Sequence, residues 1–328
     1  MAEIYKLDNQ IKNYEWGSFY LLPQFLGLEE VFKNKEKKPY AEMWMGTHNS
    51  ACSLAVINDK TVSLKEITGD LPFLFKLLAV EKPLSIQVHP DKEQAIAGYN
   101  KENESGIEIN SPLRCYKDKC EKDEILCAIT PFTLMAGFRK PEETLSFFSR
   151  TPQDISDIIN SLESIYPGDD AISSPLYLNL ITLQPGQAVF LPAGIVHSYI
   201  SGFGIELMNS SDNVLRGGLT NKYVNNDELI KIMNHEPYLP EIITPGNEMF
   251  FNYPIPSDDF SLSLIKGNSE GCFFCSINPS ICIVTEGEMQ CSGKTFKKGE
   301  SFFIPKGEKK LVFNGVFSLY AASMPDKQ

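Results

Sequence analysis

Residues 186–202 recur, without a gap, as residues 299–315. GQAVFLPAG at 186–194 lines up with GESFFIPKG at 299–307, and the alignment continues to Gly202 and Gly315. Each copy reads as a turn glycine, an apolar strand, a proline–glycine turn and a second strand. Such a repeat confines the chain to two similar units of short antiparallel strands. The copies differ where chemistry is concerned. His197 follows the turn in the first copy, and Lys310 stands at the equivalent place in the second. Imidazole is the commonest metal ligand and an ammonium is a poor one. A metal site is therefore expected in the first unit, with the second serving as structure.

The remaining sequence agrees with a mainly β fold. Short apolar runs alternate with Gly, Pro, Asn and Asp turns, and helical spacing is confined to Asp91–Tyr99, Pro141–Ile165 and Asn225–Met233. The middle stretch interrupts a β-rich region and reads as an inserted helical subdomain. At 328 residues the chain has room for two domains. The expected division is an N-terminal catalytic barrel over 1–138 and 176–240, a helical insertion over 139–175, and a degenerate C-terminal barrel over 241–328.

Charge and cysteine usage exclude several function classes. A net charge of −12 leaves no basic surface on which nucleic acid could release counterions. It also means that an anionic ligand would need a few Lys and Arg gathered locally. No run of about twenty apolar residues suggests a membrane span, and the polar start MAEIYKLDNQ lacks the apolar core of a secretory signal. The eight cysteines follow no disulfide or zinc-knuckle spacing; Cys272 and Cys275 form a lone CxxC in an aromatic run. Free thiols and a cytoplasmic location are the expectation.

The candidate chemistry lies in three separated segments. In Leu84–Pro90, LSIQVHP alternates: Leu84, Ile86 and Val88 share one face, Ser85, Gln87 and His89 the other. Glu124 enters the apolar run ILCAITPF, and His197 sits at the repeat's turn with Tyr199 on its face. Taken singly, a half-wet strand, a rim carboxylate and a hydrogen-bonded core histidine account for them. Together Gln87, His89, Glu124 and His197 offer two nitrogens and two oxygens, a set suited to zinc at about 2.0–2.2 Å. One zinc ion with a position open to water or substrate is expected.

Further along, SGFG at 201–204 reads as a hairpin loop. Pairing Ile200 with Ile205 would set Tyr199 opposite Glu206, making Glu206 either an acid/base or a partner of a ligand. Arg216 precedes two glycines that allow close approach. With Lys222 and Lys122 it could assemble the positive field that an anionic sugar needs, against solvated surface charge as the bland reading. Trp16, Trp44 and Phe73 either pack the barrel or line a ligand pocket.

These segments resemble type I phosphomannose isomerase. The motifs are NYEWGS, PYAEMWMGTH, LPFLFKLLAVEKPLSIQVHPDK and FLPAGIVHSYISG, followed by IELMNSSDNVLRGGLT, in that order over most of the first 225 residues. The repeat itself resembles the second characteristic motif of cupins, small jelly-roll barrels. The resemblance implies tandem cupin barrels and zinc held at Gln87, His89, Glu124 and His197. It also implies an active-site role for Arg216 and interconversion of mannose 6-phosphate and fructose 6-phosphate. Ser85, Tyr199, Lys222 and Trp16 are expected to meet the substrate; Arg216, Glu206 and Lys122 are the expected catalytic groups. One departure stands out. The family usually has HKPE where this chain has EKDE at 121–124, so a role for that histidine does not carry over. The competing expectations are a cupin dioxygenase and a non-catalytic sugar-phosphate sensor.

Overall fold

The computed structural model describes residues 4–28, 38–58, 60–268, 271–307 and 309–325. It is mostly β, and its contacts divide it into two compact units. One comprises 1–79, 204–210 and 243–328; the other comprises 80–203 and 211–242.

In the first unit a sheet runs through strands Phe250–Asn252, Ser261–Gly267, Phe317–Ser323, Ser280–Cys291 and Ser301–Ile304, then Tyr5–Asp8, Leu54–Ile57 and Lys60–Ser63. The two ends of the chain thus share a sheet, with Tyr5 opposite Phe303. Alternation fills its interior: Phe302, Ile304, Cys282, Val284, Leu319 and Ala321 form a continuous core with Phe296 and Phe313. Cys272 points into that core while Cys275 is exposed. Three residues apart on the strand Cys272–Ser276, they face opposite ways and form no pair. All eight cysteines are free thiols.

The second unit carries the first repeat. Its Ala188–Leu191 strand pairs with Glu124–Ala128, as Ser301–Ile304 pairs with Ser280–Cys291 in the other copy. The shared glycines do the same work in both. Gly186 and Gly299 each have φ 86°, and Gly202 (φ 134°) and Gly315 (φ 116°) sit where a Cβ would strike backbone at 2.7 and 2.3 Å.

Helices form where apolar spacing predicts them, with altered ends, and two short ones that it does not predict form at Leu21–Phe25 and Leu64–Thr68. Lys92–Glu104 starts at a capping box of Asp91 and Gln94. Pro141–Ser149 and Gln153–Ile165 are two helices broken at Thr151 and Pro152, followed by a 3-10 turn at Asp170–Leu176. Asn225 caps Asn226–Ile232. Leu162, with Ile158 and Ile159, turns the second of the paired helices into a core built on Ile86, Val88, Met135, Val196 and Leu215.

One expectation fails. SGFG at 201–204 makes no hairpin; His197–Asn209 is a single strand of 13 residues. Gly202 lets it pass against Phe132 at a register shift between Tyr199 and Ser201, so a bulge absorbs what the sequence suggested was a turn. The proposed Tyr199–Glu206 pairing therefore does not form.

Candidate metal centre

Three neighbouring strands in the second unit set the site's frame. His197, at the start of its strand, pairs with Gln87 on Ile86–Val88, and Gln87 pairs on its other side with Arg216 on Leu215–Gly218. The three residues stand in one cross-strand row, so their side chains share a face. Glu124, first residue of Glu124–Ala128, is held opposite Leu191. His89 follows the Ile86–Val88 strand, and its carbonyl accepts from the Gly194 amide in the repeat's turn. Ile86 and Val88 face the core, which leaves Gln87 and His89 facing the site, as the alternation predicts.

His89, Glu124 and His197 are all buried and place their ligand atoms within 4.8 Å of one another. Glu124 Oε1 lies 3.1 Å from His89 Nε2, and Oε2 lies 3.3 Å from His197 Nε2. The tautomers are fixed from behind. His89 Nδ1 donates to the Asn213 carbonyl and His197 Nδ1 to the Ile195 carbonyl, both at 2.8 Å. With Nδ1 engaged, each ring turns its Nε2 toward the carboxylate. Two imidazole nitrogens and a carboxylate gathered in this way form a donor set that suits a divalent ion, and this is the observation that tests the fit. The Gln87 amide completes it at 3.3 Å from His197 Nε2; nitrogen and oxygen exchange on turning the amide over.

The electrostatics agree. Burial, aided by the Lys122 cation, pushes the His89 pKa down to about 4, so the ring is neutral and ready to ligate. Burial alone would raise the Glu124 pKa, but the Lys122 ammonium, foremost among its neighbours, overcomes it and holds the carboxyl well below its usual range. Lys122 Nζ lies 2.9 Å from Glu124 Oε1 and 3.3 Å from His89 Nε2, and the Tyr199 hydroxyl donates to Glu124 Oε2 at 3.2 Å. Asp123, in the segment that departs from the family pattern, accepts from the Ala193 amide and ties that segment to the repeat's turn.

The other expected residues have the following surroundings. Ser85 is half-buried immediately before the Gln87 strand, and Lys222 is exposed in the loop after Gly218. Trp16 and Glu206 belong to the first unit. There Trp16 stacks on Tyr14, and Glu206 makes a buried ion pair with Lys76 at 2.8 Å. Trp44 and Phe73 are buried in that unit. Lys310, the counterpart of His197, is exposed and lies over the Phe273 ring at 4.7 Å. Among the described residues the His89–Glu124–His197 group is the one cluster able to hold a metal. Sequence reasoning passed over Asn213, whose carbonyl meets the His89 ring, and Asp118 and Ser211, which bond to the loop that carries it. The signal for Ser211 and Asn213 was the polar run SSDN, separated from Arg216 by Val214 and Leu215, and Asp118 bore none.

Comparison with known proteins agrees with this geometry. A family model described as phosphomannose isomerase type I, catalytic domain, matches residues 4–141. Mannose-6-phosphate isomerases of Salmonella typhimurium and Escherichia coli are each 32% identical, over 94% of this chain and 97% of theirs. A zinc-bound mannose 6-phosphate isomerase crystal structure superposes with TM-score 0.89 at 31% identity, covering 99% of this chain and all of the other. The Salmonella typhimurium enzyme bound to fructose 6-phosphate and zinc does so with the same TM-score, identity and coverage. A buried His–Glu–His cluster with preset tautomers, on a mostly β chain matched end to end by these enzymes, leaves one assignment: the chain belongs to the type I phosphomannose isomerase family.

Proposed function

We propose that the protein is a zinc-dependent mannose-6-phosphate isomerase, interconverting D-mannose 6-phosphate and D-fructose 6-phosphate through a cis-enediol(ate). The observation that carries this is the pair of Nδ1-anchored imidazoles facing Glu124, in a chain so closely related to enzymes of that name. His89, Glu124, His197 and Gln87 would hold the zinc, which supplies Lewis-acid stabilisation of oxygen where negative charge develops.

The chain's own residues account for the remaining requirements. Arg216 stands across from Gln87 and its guanidinium has no hydrogen-bond or ion-pair partner among the described residues, so it is available to an anionic oxygen. Arg216, Lys122 and Lys222 form the local positive field against a chain charge of −12. Tyr199 fixes Glu124 through its hydroxyl. Ser85, Lys222 and Trp16 remain the residues assigned to the sugar and its phosphate. A proton must move between C2 and C1, and Lys122 Nζ, in contact with the ligand set, takes that role ahead of Glu206, whose carboxylate is paired with Lys76.

A coupled assay on mannose 6-phosphate, run before and after exhaustive chelation, tests the function. Turnover is expected to vanish with the metal and return with zinc; oxygen consumption by an iron-loaded protein would point to a dioxygenase instead. The proton shuttle is tested by solvent deuterium exchange at C2. Lys122→Met is expected to slow exchange by about 10²–10⁴-fold and Glu206→Gln to leave it nearer to wild type. Undiminished exchange in the Lys122 variant removes that assignment. The reading places the enzyme in the cytoplasm, on its eight unpaired thiols. No described helix is long and apolar enough to cross a membrane.

A further inference from the structure

The geometry points to Asp118 as a positioning residue that holds His89 in its metal-binding tautomer, acting through the loop Ser211–Asn213. The inference rests on the reading of His89 as a zinc ligand.

His89 owes its tautomer to a backbone acceptor, the Asn213 carbonyl. That carbonyl lies outside any helix or strand, in residues 211–214, so no sheet ladder fixes it. The Val214 amide of the same peptide donates to the Cys115 carbonyl at 3.2 Å, and the residues that lead into it are held by one carboxylate. Asp118 Oδ2 accepts from the Asp212 amide at 2.9 Å and from Ser211 Oγ at 3.1 Å. Asp118 Oδ1 accepts from the Cys120 amide and Ser211 Oγ at 2.9 Å, and from Asn213 Nδ2 at 3.1 Å. The Asn213 side chain answers in kind. Its Oδ1 accepts from the Lys117 and Asp118 amides at 2.7 and 3.1 Å, and its Nδ2 donates to the Asp118 and Cys120 carbonyls at 3.1 and 2.8 Å.

Ser211 and Asn213 are buried, at 1% and 0% exposure, so water cannot substitute for a lost partner. The loop is therefore cross-linked to 117–120 by reciprocal bonds whose centre is an acceptor-only group. An amide of the same shape would turn an NH2 toward donors already pointing inward. At least one of the Asp212 amide, Asn213 Nδ2, the Cys120 amide or Ser211 Oγ would then face a donor. The loop would shift, and with it the carbonyl that orients the His89 ring.

The test is Asp118→Asn, with Ser211→Ala as a milder variant that removes a single donor. Zinc affinity is measured on the full chain by competition with a chelating dye, alongside the thermal transition of the metal-free protein. The His89 Nδ1–H signal is followed in ¹H–¹⁵N spectra. Zinc is expected to bind about 10–100-fold more weakly in Asp118→Asn, the loss typical of a removed outer partner. At saturating zinc, KM should stay near the wild-type value, and the exchange-protected Nδ1–H signal should be lost. Ser211→Ala should shift zinc affinity in the same direction by less, which keeps the idea testable if Asp118→Asn folds poorly. Unchanged zinc affinity with a lowered thermal transition would overturn the inference and leave Asp118 a loop brace. Wild-type protein that binds no zinc, or a His89→Ala variant that binds it as tightly, would overturn the site reading and this inference together.

Discussion

Glu124→Gln is expected to empty the metal site and lower isomerase turnover by about three orders of magnitude or more, the several kcal/mol that a Lewis-acid metal contributes. The substitution keeps the shape of the side chain and removes only its charge. That charge has two functions. It is the anionic member of a donor set whose other members are an amide and two imidazoles, each held at Nδ1 and turned to the site through Nε2. It is also the counter-ion of Lys122, whose ammonium lies 2.9 Å away and is itself buried. With glutamine present, a divalent ion gains no anionic ligand and the neighbouring cation opposes its entry. Zinc measured by elemental analysis should fall far below one per chain. The same change leaves a buried ammonium unpaired, and breaking a buried pair in this way costs about 3–5 kcal/mol, so the variant's thermal transition should drop as well. Full turnover with one zinc retained per chain would remove Glu124 from the ligand set.

The sequence carried the site well because local alternation carried it. In LSIQVHP a period of two separates Ile86 and Val88 from Gln87 and His89, and burial on one face forces the other toward the site. The repeat was equally legible: Gly186 and Gly299 adopt the same positive φ, a requirement that leaves few residues to choose from. Pairings between distant segments were not legible. Nothing in residues 5–8 announces Ser301–Ile304 as their partner, because strand register is settled by whole-face packing rather than by local pattern.

The same limit explains the error at SGFG. Two glycines flanking a phenylalanine satisfy a hairpin loop, yet they also satisfy a bulge where a strand crosses close to Phe132, and only the packing partner decides between the two. The networks around His89 and Glu206 were hidden for a related reason. Asp118 with Asn213, and Lys76 with Glu206, lie 95 and 130 residues apart. Single polar residues bear no mark of such distant partners.

Arg216→Ala is expected to lower kcat by about 10²–10³-fold, the usual consequence of deleting one charged donor aimed at developing negative charge, while zinc content stays at the wild-type level. The argument begins with what Arg216 lacks. It is half-buried on the strand Leu215–Gly218, and burial lowers its pKa from the ordinary value, opposed by the Cys115 thiol. Among the described residues nothing forms a hydrogen bond or ion pair with its guanidinium. A guanidinium withdrawn from water without a partner destabilises the free protein; its retention in the row with Gln87 and His197 is understandable if an oxyanion completes it in the working complex. Two outcomes then separate a substrate role from a structural one. Alanine should leave the thermal transition of the substrate-free enzyme unchanged or raised, since a site of this kind trades stability for function. Arg216→Lys should recover only part of kcat, because an ammonium restores the charge without the planar fork that grips two oxygens at once. A lysine variant with wild-type kcat would reduce Arg216 to a point charge, and an alanine variant that melts lower and loses its zinc would make it a support of the fold.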